Sequence, residues 1–132
     1  MVADLRSGCV LLAHPHQRLS EGLRDWLQAS FEGVFMVADR PSLVEGAQRL
    51  QPVLLLIDLA LADGRLPQLM AELQRQAPGS RTLLLSDHDD PRADAAALAA
   101  GAAGVVHKGT LATDLSLAVD AVLSGRRFTS PL

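Results

Sequence analysis

Length, composition and charge limit the kinds of protein that this chain can be. Its 132 residues suit one domain built around a single hydrophobic core. Its apolar runs, such as residues 53–57, are too short to cross a bilayer, and no signal-peptide pattern follows Arg6, so a cytoplasmic protein without a membrane anchor is expected. The net charge is −3 with scattered cationic residues and four aromatic residues, which argues against direct binding of nucleic acid. The one cysteine, Cys9, is expected to be a buried apolar residue in a reducing compartment.

Short runs rich in Val, Leu and Ile alternate with longer segments in which apolar residues recur at helical spacing. This alternation is typical of βα units, because the strands of a parallel sheet are covered on both faces and therefore form continuous apolar runs. We predict an α/β fold with a doubly wound, five-stranded parallel sheet and five helices. The predicted strands are residues 9–13, 34–38, 53–57, 82–85 and 103–106.

The first predicted helix has a single apolar stripe. Leu19, Leu23, Trp26 and Leu27 fall at positions i, i+4, i+7 and i+8, which lie on one face of a helix. Trp26 is therefore expected to be a core residue and not a platform for a ligand.

Characteristic start and stop residues mark the other helices. Ser42 and Glu45 form a capping-box pattern that predicts the start of the second helix, and Pro52 predicts its end. Asp90 and Pro91 predict the start of the fourth helix as an N-cap residue followed by proline at the first helical position. The third and fifth helices are predicted from apolar residues at helical spacing, which are Leu66, Leu69, Met70 and Leu73, and Leu111, Leu115, Val119 and Val122. Gly125 predicts the end of the fifth helix as a left-handed C-terminal cap.

Polar residues follow four of the predicted strands. His14 follows the first, Asp58 the third, Ser86 the fourth, and Lys108 comes shortly after the fifth. Doubly wound sheets bind ligands outside the carboxyl ends of their strands, and in the order 2-1-3-4-5 Asp58 lies between His14 and the other two. A carboxylate can accept a phosphoryl group while a lysine and a hydroxyl bind its oxygens. Each residue alone suits a structural role at a strand end, but the three together favour a site.

Four segments share the motifs of one protein family: LLAHPHQRLSEGL at residues 11–23, DLALADG at 58–64, LSDH at 85–88 and AGAAGVVHK at 100–108. They resemble the receiver domains of two-component response regulators, of the kind that heads LuxR-type transcription regulators. The resemblance covers about residues 8–131. It implies a flavodoxin-like fold, with Asp58 as the phosphoacceptor, Ser86 as the switch hydroxyl and Lys108 as the phosphate-pairing cation.

The sequence departs from the family pattern at three places. His14-Pro15 occupies the positions at which the family holds Mg²⁺ with an acidic pair, so Asp58 is expected to bind Mg²⁺ weakly or not at all. Val105 stands where the family has a switching Tyr or Phe, and Ala62 replaces a loop proline. The leading hypothesis is a non-enzymatic module that signals by protein contacts, with impaired Mg²⁺-dependent phosphorylation at Asp58. The alternative is a conventional receiver, phosphorylated on Asp58 by a histidine kinase.

Other chemical interpretations of these residues have weaker support. His14 and His16 lie near Asp58 and suggest a transition-metal site, but paired histidines without further ligand spacing are more often structural. A flavin- or nucleotide-binding enzyme on the same fold would need a phosphate-binding loop rich in Gly, Ser or Thr, which residues 14–17 do not provide. Asp87 is expected either to be solvated or to form a fixed salt bridge with Lys108. No cofactor is predicted beyond weakly bound Mg²⁺.

The resemblance also implies boundaries and partners. Residues 8–126 are expected to form the receiver domain and residues 127–132 to begin a linker. The expected partners are a histidine kinase, a C-terminal DNA-binding domain absent from this chain, and a second copy of the chain. The fourth and fifth helices are candidates for the dimer surface, because the small side chains of residues 95–100 permit close approach.

Overall fold

The computed structural model of the chain describes residues 6–87 and 90–131. In these two stretches, parallel strands form one sheet in the order β2-β1-β3-β4-β5-β6. The order of the first five strands confirms the predicted topology, and the sheet gains a short sixth strand. The strands are β1 (Arg6–Ala13), β2 (Phe31–Val37), β3 (Leu54–Asp58), β4 (Arg81–Ser86), β5 (Gly104–His107) and β6 (Phe128–Thr129).

Five α-helices within the described residues cover both faces of the sheet. They are α1 (Gln17–Gln28), α2 (Arg40–Leu50), α3 (Leu66–Gln76), α4 (Pro91–Ala99) and α5 (Leu111–Leu123). Helices α1 and α5 pack on one face, and α2, α3 and α4 pack on the other. Not one of the helices in this part of the chain has the length and apolar character needed to cross a membrane.

The central strands supply both halves of the core. Successive side chains of a strand point to opposite faces of the sheet. In β3, Leu54 and Leu56 accordingly pack against α1 and α5, whereas Leu55 and Ile57 pack against α2 and α3. Burial on both faces explains why these strands are continuous apolar runs. Because the strands pair in parallel, the carboxyl ends of β1, β3, β4 and β5 lie at one edge of the domain.

Two sequence-based expectations about helices are wrong. Trp26 is not a core residue, since it is 39% exposed. Leu23 and Leu27 fill the buried stripe of α1, and the larger indole lies at its border, along a groove of about 480 Å³ between α1 and α5. Helix α2 begins at Arg40 and not at the Ser42 capping box, because the Asp39 side chain is the N-cap and accepts a hydrogen bond from the Ser42 N–H at 2.8 Å.

Other start and stop signals are confirmed. The Asp90 side chain caps α4 and accepts the N–H of Arg92 at 2.9 Å, with Pro91 at the first helical position. Helix α2 ends at Leu50, before Pro52. Beyond α5, Gly125 adopts a φ of 86°, a left-handed conformation that terminates helices. Cys9 differs from its expectation, because the side chain is only partly buried.

The sheet continues into the segment expected to begin a linker. Residues 128 and 129 form β6, which pairs in parallel with β5, and Ser130 is buried. The sequence did not indicate this strand, because two residues are too few for a periodic pattern. The proposed domain boundary at residue 126 stays a prediction, but ordered structure extends past it.

Candidate functional site

Asp58 is the centre of the polar cluster at the carboxyl edge of the sheet. It ends the central strand β3, and only 2% of its surface is exposed. The 3₁₀ turn Leu59–Ala62 that follows directs the Ala60 N–H onto Asp58 Oδ1 at 3.0 Å. The other oxygen, Oδ2, faces two side-chain nitrogens from neighbouring strands.

Lys108 supplies the cation of the cluster. Its Nζ donates to Asp58 Oδ2 at 2.7 Å and lies 3.2 Å from Asp87 Oδ1, a salt bridge that was one of the two alternatives left open by the sequence. Burial by itself lowers the pKa of Lys108, but the hydrogen bonds to Asp58 and Asp87 outweigh it, and the pKa is raised. One ammonium therefore faces two carboxylates and stays charged at neutral pH.

His14 occupies the other side of Asp58. It follows β1, its side chain is fully buried, and its Nδ1 accepts the N–H of His16 at 2.9 Å. A ring nitrogen that accepts a hydrogen bond has no proton, so the neutral ring carries its proton on Nε2. Nε2 lies 3.1 Å from Asp58 Oδ2, but the N–H is not aligned for a well-formed hydrogen bond. Burial lowers the pKa of His14 and outweighs the attraction of Asp58, so the ring is neutral near pH 7.

The remaining predicted site residues are Ser86, Val105 and Pro15. Ser86 is buried at the end of β4, in register with His107, the residue before Lys108. Val105 is buried in the core on the face covered by α2, α3 and α4. A valine side chain is too short to reach the surface by a change of rotamer. Pro15 is exposed and offers no side-chain ligand atom.

The residues present do not suit Mg²⁺. This ion requires nearly octahedral oxygen coordination. The family that the sequence resembles holds it with an acidic pair, at the positions that His14 and Pro15 occupy here. The described residues contain no cluster of three or more His, Cys, Asp or Glu side chains able to hold a metal. The side chains next to Asp58 are the neutral ring of His14, which directs an N–H at the carboxylate, and the ammonium of Lys108. Both place positive charge or the positive end of a dipole where a cation would bind.

The geometry also disfavours the transition-metal site suggested by His14 and His16. Their ring centroids are 5.5 Å apart and the rings are tilted by 56°. His14 Nε2 carries the ring proton, so metal binding there would require the loss of the Nδ1 hydrogen bond from His16. The tautomer thus favours a hydrogen-bond donor at Asp58 over a metal ligand.

A second buried polar cluster next to this site was missed by the sequence analysis. His107 Nε2 lies 2.9 Å from Asp94 Oδ2, which ties β5 to α4, and Asp94 Oδ1 is buried without a hydrogen-bond partner in the described part of the chain. The His107 N–H donates to Ser130 Oγ at 3.0 Å, and that hydroxyl donates to Asp114 Oδ2 at 2.7 Å. Thr110 Oγ1 also donates to Asp114, and these two hydrogen bonds lower the pKa of Asp114.

The signals for this second cluster were weak. Asp94 stands among alanine residues in α4, where the other buried residue is Ala97. A carboxylate between alanines was the one sign in the sequence of a polar partner for this helix. Its partner lies 13 residues away, at no recognisable spacing. His88, the last residue of the LSDH segment, lies outside the described residues.

Comparison with known proteins places this geometry in one family. Residues 10–120 match the family described as response regulator receiver domain. The chain is 32% identical over 120 residues to the DNA-binding transcriptional activator DevR/DosR of Mycobacterium tuberculosis, and the match covers 89% of this chain and 55% of that protein. The chain therefore spans about half the length of that relative.

Solved structures show the same fold. A two-component response regulator of the LuxR family from Aurantimonas sp. SI85-9A1 superposes with a TM-score of 0.85 at 24% identity, covering 96% of this chain and 91% of that one. The non-phosphorylated receiver domain of the stress response regulator RcsB from Escherichia coli superposes with a TM-score of 0.81 at 25% identity, covering 96% and 100% of the two chains. These similarities extend over nearly the whole chain.

Proposed function

The chain belongs to the family of response regulator receiver domains, and we propose that it transmits a signal through contacts with other proteins while Mg²⁺-dependent phosphorylation of Asp58 is impaired. The observation that supports this proposal is the replacement of a metal-binding carboxylate pair by His14, a neutral buried donor 3.1 Å from Asp58, and by exposed Pro15. In this interpretation the protein is a binding module and not an enzyme.

The proposal has an electrostatic basis. Transfer of a phosphoryl group to a carboxylate brings two anions together, and cations must neutralise the charge that develops. Lys108 contributes one positive charge, which Asp58 and Asp87 already share. Asp58 Oδ2, one of the two possible nucleophilic atoms, is engaged by Lys108 and approached by His14. Without a divalent cation, the site lacks the charge that the reaction needs.

The test is modification by a small phosphodonor. Acetyl phosphate with Mg²⁺ is expected to leave the intact mass of the natural sequence unchanged, with Asp58→Asn as the blank. The double variant His14→Asp, Pro15→Asp is expected to bind Mg²⁺, measured by titration, and to gain one phosphoryl group on Asp58. Stoichiometric phosphorylation of the natural sequence would contradict the proposal. A double variant that binds Mg²⁺ but stays unlabelled would shift the cause of the impairment to the Lys108–Asp87 salt bridge.

A conventional receiver phosphorylated by a histidine kinase is the second candidate function. The observation that favours it is the Asp58–Lys108 hydrogen bond of 2.7 Å, with Ser86 buried at the adjacent strand end. Those three groups would bind a phosphoryl group without rearrangement of the strands. The same mass measurement separates the two candidates, because this one predicts labelling of the natural sequence.

Partners follow from either function. We infer a cytoplasmic protein that forms a homodimer and acts with a C-terminal DNA-binding domain in a longer protein, since the similar transcriptional activator is nearly twice as long as the matched segment. A histidine kinase is a partner only if Asp58 is phosphorylated. Direct contact of this domain with nucleic acid is not expected at a net charge of −3.

A further inference from the structure

Strand β2 forms an open edge of the sheet. It pairs with β1 on one side and is the last strand in the sheet order, so in the described part of the chain no strand covers its other side. The edge is seven residues long, whereas the opposite edge, β6, has two. An uncovered edge of that length is a template for pairing with another strand.

The backbone groups that face outward can be identified. The Val37 C=O accepts the N–H of His14 at 3.1 Å, so residue 37 faces the inner side of the strand. The N–H and C=O of one residue point to the same side of a strand, and the side alternates along the chain. Phe35 and Gly33 therefore face β1, and Glu32, Val34 and Met36 present their backbone groups outward.

Two large apolar side chains of this edge are exposed. Phe35 is 47% exposed and Met36 is 38% exposed, and because they are consecutive they lie on opposite faces of the strand. The segment FEGVFMV contains no lysine or proline, the residues that commonly protect an edge. Its single charge does not protect the edge either, because Glu32 Oε1 accepts the Gly8 N–H at 3.0 Å, on the side of β1.

We propose that β2 pairs antiparallel with β2 of a second copy of the chain, about a two-fold axis at Val34, and joins the two sheets into one. In this register Val34 meets its own equivalent, Glu32 meets Met36, and all three outward-facing residues form ladder hydrogen bonds. Gly33 then stands opposite Phe35 of the second copy. A Cβ on Gly33 would lie 3.4 Å from the Phe35 ring of its own chain, so the glycine provides the space into which the aromatic rings pack.

The occupant is a second copy because the edge is complementary to itself in this register. A two-fold interface uses the same surface on both subunits and closes after two chains. The two-residue β6 edge offers too short a ladder for further growth, so the product is a dimer and not a fibre. This inference differs from the α4–α5 surface favoured by the sequence, and it does not depend on whether Asp58 is phosphorylated.

The first test is the mass of the full chain in solution by light scattering over a range of concentrations. The natural sequence is expected to approach twice the mass of one chain, and Met36→Lys and Phe35→Lys are each expected to remain at the mass of one chain, with circular dichroism confirming that they are folded. Leu117→Lys is the matched control, since Leu117 is 59% exposed on α5, and it is expected to keep the dimer. A natural chain that stays monomeric overturns the proposal, as does dissociation by Leu117→Lys while the β2 variants stay dimeric.

Hydrogen exchange tests the register without substitutions. As the protein concentration rises, exchange of the Val34 and Met36 amides is expected to slow at least tenfold, because their N–H groups become hydrogen-bonded to the second copy. The Phe35 amide already faces β1 and is expected to change little. Equal slowing of all three amides, or slowing confined to α4 and α5, would contradict pairing at β2.

Discussion

At the scale of single residues, the tautomer and the neutral charge of His14 define one side of the site at Asp58. Its Nδ1 accepts the backbone N–H of His16 and its Nε2 proton faces Asp58, so the neighbour of the aspartate on this side is a neutral donor. Asp58 is thereby surrounded by donors: the Ala60 N–H, the Lys108 ammonium and the His14 ring.

Burial of His14 leads to a prediction about pH. Its pKa in the folded chain lies below the ordinary value of 6.5, so between these two values the unfolded chain binds more protons than the folded chain. The contribution of His14 to stability therefore rises with pH in that window, and this contribution is lost as the pH falls from 6.5 through the lower pKa of the folded chain. Urea unfolding from about pH 7.5 to about pH 5.5 is expected to show that the natural chain loses stability relative to His14→Gln.

The exposed neighbour provides the control for this measurement. His16→Gln removes a histidine from the same loop but leaves its backbone N–H, and with it the hydrogen bond to His14. Its stability curve is expected to run parallel to that of the natural chain. If the stability of His14→Gln changes with pH in the same way as that of the natural chain, burial does not lower the pKa of His14.

At the scale of elements, the contact between β5 and β6 depends on Gly104. A Cβ at this position would lie 2.9 Å from the Phe128 carbonyl oxygen and 2.9 Å from Leu83 Cδ1. The leucine can shift by rotation about its side-chain bonds, but the carbonyl belongs to the backbone of β6. Glycine is therefore required here by close packing and not by an unusual backbone conformation.

Alanine substitution tests this requirement. Gly104→Ala is expected to lower the free energy of unfolding by about 1–3 kcal/mol, because an added methyl group in a packed site forces the neighbouring backbone to move. Gly22→Ala is the matched control, since Gly22 lies inside α1 with open space at its Cβ, and it is expected to raise stability by about 0.5–1 kcal/mol. Chemical denaturation of both variants is the measurement. If both variants change the free energy of unfolding by the same small amount, the β6 backbone can move to accept the methyl group without a loss of stability.

At the scale of the whole molecule, the C-terminal segment joins elements that are distant in sequence. Ser130 accepts a hydrogen bond from the His107 N–H and donates one to Asp114, and its own N–H donates to the Val105 C=O at 3.0 Å. His107 in turn contacts Asp94 on α4. The end of the described chain is thus coupled to β5, α4 and α5, one residue away from Lys108.

Truncation measures that coupling. A chain that ends at Arg126 is expected to be less stable than the full chain, because it loses β6 and leaves the His107 N–H without its acceptor. Ser130→Ala removes only the hydroxyl and is expected to cost about 1–3 kcal/mol, the range for a buried group left unpaired. Thermal and urea unfolding of both forms provide the comparison. Equal stability of the truncated and full chains would support the domain boundary at residue 126.

The sequence alone determined the alternation of the first five strands with five helices, the caps of α4 and α5, and, with the strand order that the family resemblance implies, the meeting of Asp58 with Lys108. These features depend on local patterns: continuous apolar runs, single capping residues, and the rule that parallel strands end at one edge of a sheet. A pattern of that kind is present in the chain before it folds, and packing reinforces it.

Tertiary structure alone decided the exposure of Trp26, the tautomer of His14, the pairing of His107 with Asp94, and the strand at Phe128. Each depends on contacts between residues far apart in sequence or on competition for a limited buried surface. Leu27 is fully buried, whereas the larger indole of Trp26 is partly exposed. The position of the proton on His14 follows from the backbone N–H of His16, which the turn at residues 14–16 directs onto the ring. Hydrophobic periodicity specifies which face of an element is buried, but the partners that buried polar atoms find are specified only when the elements are packed together.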